Sequence, residues 1–285
     1  MKGTFFWSVR RELWEHRAII LAPLVVSVVV LAAVAFNVRN LQEKIGLLAA
    51  MKPAQQQFAV MMPFGLAAMV VLLTAFVVGA FYCFDALNNE RRDRSLLFWK
   101  SMPVSDTTAV FSKAFVPLAV QPAVGLAVAY ATQAVLLVLV CIVLLAVGID
   151  VAPLWERLPA MVISVTLLYG VIVHVLWYAP LYALFLMMSA WVRRPMLWVI
   201  LPVLALPLLE RIAFGTTFAT KFMRWRLTGA WNEAFKPDGP GGPVIALSQL
   251  EPMRFISSPG LWAGLFFAAA FIYIAIRLRR AREPF

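Results

Sequence analysis

The chain has 285 residues, 63% of them hydrophobic and only 14% charged, and a mean hydropathy of +0.86, a balance outside that of a soluble globular domain. Its formal charge of +11 does not point to nucleic acid, because the basic residues flank apolar runs instead of forming a stripe interleaved with aromatics. Cys83 and Cys141 fall in or beside apolar runs with no metal-ligand spacing, which argues against a disulfide framework or a zinc site.

The leader mixes Phe5, Phe6, Trp7, Val9, Leu13 and Trp14 with Arg10, Arg11, Glu12, Glu15 and Arg17. Wide aromatic rings among arginines predict an interfacial helix over 4–17, lying in the headgroup layer with Arg11, Glu12, Trp14 and Glu15 as its polar and anchoring residues. Acidic residues and tryptophans in this leader, and the length of the apolar run behind it, favour a retained first span over a cleaved signal peptide. Crossing a hydrocarbon core takes about 20 mostly apolar residues in helical form, since lipid offers backbone groups no partner. Six runs qualify, at 18–36, 58–84, 115–147, 159–188, 195–214 and 259–276.

Between the second and third runs lies the segment 85–113, in which Glu90-Arg91-Arg92-Asp93-Arg94 leads into Leu96-Leu97-Phe98-Trp99. Four consecutive large apolar residues cannot share one helical face, so some must meet a partner or the chain's own span ends. Pro103 interrupts any helix, and Ser105 or Asp106 supplies the cap of a new one. From Thr107 to Val147 that helix measures about 60 Å, roughly twice the hydrocarbon thickness, so it projects out of the bilayer, with Pro117 and Pro122 as kink points. His174 in the fourth run stands beside Trp177 and Tyr178; it reads as a hydrogen-bonded packing histidine or as an intramembrane functional group. The fifth run carries Pro202 and Pro207, which predict a kink. In the segment 214–258, Phe214, Phe218, Phe222 and Trp225 form one predicted helical stripe that lies at the outer interface or re-enters between spans, followed by the Pro/Gly-rich turn 237–243.

With the N-terminus inside, 15 of the 25 Lys and Arg fall on the cytoplasmic side, which predicts that both termini are cytoplasmic. No Gly-rich loop ending in Gly-Lys-Ser or Gly-Lys-Thr is present, so the chain is not itself an ATPase. Two histidines exclude the His-Glu-x-x-His signature, and neither a catalytic residue nor a metal site is expected. Asp and Glu avoid the span interiors, which disfavours an ion-coupled carrier and favours an energy source outside the chain.

The stretch from Asp85 to Ser105, with Ser112-Lys113 after it, resembles the ABC type-2 permease family: an acidic-basic segment after the second span, then Ser101-Met102-Pro103-Val104-Ser105. Arg11-Glu12-Leu13-Trp14-Glu15 likewise resembles that family's N-terminal connecting helix. Asn88-Asn89 and the proline-rich fifth span depart from its pattern. The resemblance implies an all-α polytopic membrane protein, a single permease domain of six transmembrane helices with an N-terminal interfacial helix and a cytoplasmic coupling helix. It assigns docking on an ATP-binding cassette ATPase subunit to Glu90, Arg91, Arg92, Asp93, Arg94, Phe98, Trp99, Met102 and Pro103. ATP and Mg belong to that partner and no cofactor to this chain; a second permease copy or homologue completes a dimer in the bacterial inner membrane. Gln121, Gln133 and His174 are candidates for the translocation path of an amphiphilic, lipid, peptide or drug-like cargo. A non-transporting membrane scaffold is the alternative.

Overall fold

The computed structural model describes residues 2–37, 52–92, 105–236 and 244–281. Twelve α-helices account for most of them: α1 (Lys2–Glu15), α2 (Ala18–Asn37), α3 (Pro53–Asp85), α4 (Asn88–Arg92), α5 (Asp106–Phe115), α6 (Gln121–Ala146), α7 (Ala152–Arg157), α8 (Ala160–Trp191), α9 (Pro195–Phe214), α10 (Phe218–Ala234), α11 (Pro252–Ser257) and α12 (Pro259–Ala281). Among the described residues there is no strand, only an isolated bridge between Phe235 and Leu250. Six helical stretches are long and apolar enough to cross a membrane, and the chain is an all-α, multi-pass membrane protein. Valine-rich runs such as Val28-Val29-Val30 favour strands in water; in lipid every backbone group must be satisfied within the segment, and the helix wins.

The third span begins where the sequence places its cap: Ser105 Oγ accepts from the Thr108 N–H at 3.1 Å. It then runs helically over Asp106–Ala146, 41 residues, or about 60 Å. Between α5 and α6 the five residues Val116–Val120 form a π-turn. Pro117 and Pro122 each lack the N–H that an α-helix needs, and widening the turn accommodates both without ending the helix.

α2, α3 and α6 pack together, α3 also lies against α8, and α8 lies along α12. Phe64, Ala67 and Leu136 fill one end of the α2–α3–α6 group, Ala68, Val71 and Ala129 its middle. Gly125 lets α6 approach α3 closely, since a Cβ there would stand 2.9 Å from that of Ala75. The hydroxyls of Ser27 and Thr132 meet at 2.7 Å inside this apolar contact. Outward-facing Leu, Val and Phe side chains cover the spans, as expected where the solvent is hydrocarbon; α9 buries only Pro195.

The expected stripe from Phe214 to Trp225 is divided. Gly215, in the left-handed conformation at φ 64°, closes α9 after Phe214, so only Phe218, Phe222 and Trp225 share α10. Glu210 turns the corner: its carboxylate accepts from the Thr216 hydroxyl at 2.6 Å and the Ala219 N–H at 2.7 Å, supplying the start of α10 with an acceptor.

α10 then meets α8 at Trp177, which is fully buried. The indole N–H donates to the Arg226 carbonyl at 2.8 Å, and the Arg226 guanidinium lies 4.6 Å over the indole while donating to the carbonyls of Trp177 and Gly260. Trp177 stands roughly 25 Å from one end of α8 and 20 Å from the other, so a hydrocarbon core of about 30 Å placed anywhere along that helix includes it. The segment between the fifth and sixth spans therefore packs against the middle of α8. Gly260 and Gly264 have the spacing of a small-xxx-small helix contact, yet a Cβ at Gly260 would fall 2.6 Å from Trp225 Cζ2 and one at Gly264 2.6 Å from Arg226 Nη2. Their groove is filled from within the chain. Gly260→Ala is expected to lower unfolding stability by about 1–3 kcal/mol through overpacking, measured by SDS titration; an unchanged transition accompanied by loss of a dimer would instead mark the glycines as an intermolecular contact.

Candidate functional site

α1 is amphipathic in an unusual sense, because its inward face carries a charge. Val9 and Glu12 are buried, while Phe6, Trp7, Arg10 and Trp14 face outward. The Arg10 guanidinium sits 5.1 Å from the Trp7 ring and 4.7 Å from the Trp14 ring, an aromatic-cationic face suited to a headgroup layer.

Glu12, at 0% exposure, is the centre of a polar network at the end of the bundle that carries both termini. Lys113 Nζ of α5 donates to both its oxygens, at 2.9 and 3.0 Å; Arg11 donates to Oε1 at 2.8 Å and the Tyr82 hydroxyl of α3 to Oε2 at 2.9 Å. Glu90 of α4 continues it, 3.3 Å from Lys113 Nζ, 3.6 Å from Arg11 Nη2 and 3.1 Å from Arg279 Nη2 of α12. Arg279 closes the chain of contacts on Asp106 at 2.6 Å. Glu12, Glu90 and Asp106 thus face Arg11, Lys113 and Arg279, and Glu15 adds a further contact to Arg11 at 3.4 Å. Burial pushes the Glu12 carboxyl upward, but the Lys113 charge, its hydrogen bonds and Arg11 outweigh this and hold it down at about 2.

The turn into α4 is fixed to α8. The backbone N–H groups of Leu87 and Asn88 both donate to Ser189 Oγ, at 3.0 and 2.8 Å, and Arg91 Nη1 donates to the Ala190 carbonyl at 2.7 Å. These bonds bring α1, α3, α4, α5, α8 and α12 to one place.

The candidates read from sequence divide accordingly. Glu90 and Arg91, expected on a docking surface, are buried at 8% and 6% exposure and turned into the chain's own helices, because their partners stand there; Arg92 is exposed. Asp93, Arg94, Phe98, Trp99, Met102 and Pro103 lie outside the described residues. On α1, Trp14 and Glu15 are exposed as an interfacial helix requires, Arg11 is half-buried, and Glu12 is not at the surface.

Gln121, Gln133 and His174 are each engaged by a neighbouring group of the chain. Gln121 is 1% exposed and donates from Nε2 to the Ala75 carbonyl at 2.8 Å; Gln133 donates to the Phe64 carbonyl at 3.3 Å. Both tie α6 to α3. His174 stacks on Phe76 at 3.4 Å and shares a hydrogen bond of 3.0 Å with the Tyr182 hydroxyl, the packing arrangement that was one of its two readings. Glu12, Glu15 and His16 approach one another as metal ligands do, but the Glu12 oxygens are already committed to Lys113, Arg11 and Tyr82.

Sequence reasoning missed Tyr82 and Ser189, took Asp106 only as a candidate cap and Arg279 only as a topology signal, and used Lys113 for topology and for the family resemblance, not as a buried partner. A charge inside a helix with apolar neighbours on both sides, as Lys113 has in Ala114 and the buried Val110, was the available clue. Comparisons with protein-family models, with curated proteins and with solved structures find no match to this chain.

Breaking one partner of a buried ion pair strands the other. Glu12→Ala or Lys113→Ala is expected to cost about 3–5 kcal/mol and the double change to Leu less, because the two charges are then removed together and Glu90 keeps Arg279; thermal unfolding in detergent measures both. Since the folded carboxyl titrates lower than an unfolded one, the stability it contributes is complete above the ordinary value of 4.5 and is lost as pH falls through about 2. Glu12→Gln flattens that part of the pH profile.

Proposed function

We propose that this chain is the membrane-spanning permease subunit of an ATP-binding cassette exporter, with 85–113 as the segment on which a separate ATPase pulls. The observation that carries the reading is the charge network. A transporter driven from outside needs a rigid joint between the docking segment and the spans, and Glu90 and Lys113 bind the two ends of 85–113 to α1, α12 and, through Tyr82, α3. Ser189 and Ala190 add α8.

In this reading Glu90 and Arg91 do not touch the ATPase; they carry its force inward. Contact falls to Arg92 and to the residues beyond it that the sequence assigns, Asp93, Arg94, Phe98, Trp99, Met102 and Pro103. The lack of a phosphate-binding loop on the chain requires the second protein. The Lys and Arg bias puts the network and both termini in the cytoplasm, with the bacterial inner membrane as the location. Closure of two ATPase subunits on ATP then rocks two permease units between inward and outward openings; the dimer and the outward direction rest on the family resemblance. The cargo is an amphiphilic, lipid, peptide or drug-like molecule.

Mild detergent extraction from the host membrane is expected to recover a protein with a phosphate-binding loop. Phe98→Ala with Trp99→Ala should lower that recovery at least about tenfold, since each covered side chain contributes roughly 1.5–3 kcal/mol. A folded permease that copurifies with no ATPase overturns the reading.

A further inference from the structure

An open cleft of about 640 Å³ lies beside the charge network, walled by Thr4 and Phe5 of α1, by Thr107, Phe111 and Phe115 of α5, and by Ile272 of α12. Its volume and mostly apolar walls with a few polar groups are those of a small-molecule site. The walls are graded along α5. Phe115 and Leu118 lie on the membrane side of Lys113, Ser105, Thr107 and Thr108 on the other; from Thr107 to Leu118 is about 16 Å of helix.

Three observations say what such a gradient accommodates. The depth is set by α1, whose outward Trp7, Arg10 and Trp14 belong in a headgroup layer, and Phe5 of that helix packs edge-on against Phe115 at 5.5 Å. The rim is cationic: Asp106 is taken by Arg279, whereas the exposed Arg280 reaches over the rim and donates to Thr107 Oγ1 at 3.1 Å. The dipole at the start of α5 also favours an anion there, beside the Thr108 N–H that Ser105 Oγ already caps. Below, Leu118 and Ile272 continue the apolar floor toward Ala179, Ala183 and Ala268.

We infer that the cleft holds an anionic glycerophospholipid of the leaflet at this end, its phosphate beside Arg280 and the first turn of α5 and an acyl chain along Phe111, Phe115, Leu118 and Ile272. The site depends on residence in a membrane and holds with or without an ATPase partner.

The test reconstitutes the full chain in lipid nanodiscs with phosphatidylglycerol carrying a photoactivatable diazirine on one acyl chain, or with phosphatidylcholine of the same chains, and maps the adducts by mass spectrometry. Phosphatidylglycerol is expected to label 111–118 and 272 in excess over the lipid-facing residues of α9. Ala114→Trp and Ile272→Trp, which fill the cleft from opposite walls, should each reduce that labelling to the level of α9. Arg280→Gln, at an exposed position that leaves the walls intact, should remove about fivefold of the preference for phosphatidylglycerol, the value of one basic side chain near an anionic surface. Labelling no higher than on α9, indifference to both filling variants, or equal capture of the two lipids by the unaltered protein would each overturn the proposal.

Discussion

A carboxylate with no access to water is tolerated only if its charge is answered at contact distance, and Glu12 is answered by Lys113 on both oxygens. Much of the charged end of the molecule follows from that pairing. Lys113 sits one residue before the buried Ala114 and can reach Glu12 only if α1 folds back across the start of α5. The fold-back places Arg11 next to Glu90, and Glu90 then holds Arg279 at the end of α12. Replacing such a network with apolar residues need not weaken a protein, so its value lies less in stability than in geometry: only one relative placement of these helices leaves no charge stranded.

The spans beyond the network obey a simpler constraint. Hydrocarbon accepts no hydrogen bonds, and several polar side chains in the bundle are turned to a neighbour: Ser27 to Thr132, Tyr130 to the Ser164 carbonyl, Gln133 to the Phe64 carbonyl, Gln121 to the Ala75 carbonyl; Thr166 Oγ1 and Gln121 Oε1 are buried without one. These ties cross between helices whose surfaces are otherwise alike, and they fix register where apolar packing alone leaves sliding inexpensive. The π-turn at Val116–Val120 sits between the charged lever, α5, and the first tie, Gln121. A wide turn with Pro117 inside it and Pro122 just beyond it breaks the regular hydrogen-bond ladder of the third span where the charged α5 meets the apolar α6.

How far the sequence reveals this depends on the range of the interaction. Apolar length alone locates the six spans, because a helix in lipid is decided residue by residue; the cap at Ser105 and the helical continuity from Asp106 to Ala146 are also local. Glu90 and Arg91 are different. In sequence they belong to an exposed-looking run of alternating charge, and nothing within that run tells that Arg279, 189 positions away, waits to neutralise Glu90. The same limit explains the stripe from Phe214 to Trp225, whose spacing is helical across Gly215 although the backbone is not, since spacing does not register a left-handed residue. Gln121 and His174 were legible as polar groups within spans, but not the carbonyl and hydroxyl that satisfy them.

Arg226 follows the opposite logic to Glu12. It packs against the middle of α8 on a helix that is not a span, and among the described residues no carboxylate faces it; two backbone carbonyls and the face of Trp177 take that place. Carbonyl dipoles and a ring quadrupole spread the answer to the charge over several groups, each weaker than an ion pair. Such an arrangement holds α10 through geometry that Gly260 and Gly264 make room for. The two ends of the bundle are therefore held differently: the charged end by full ion pairs, and α10 by carbonyl and ring contacts with α8 and α12.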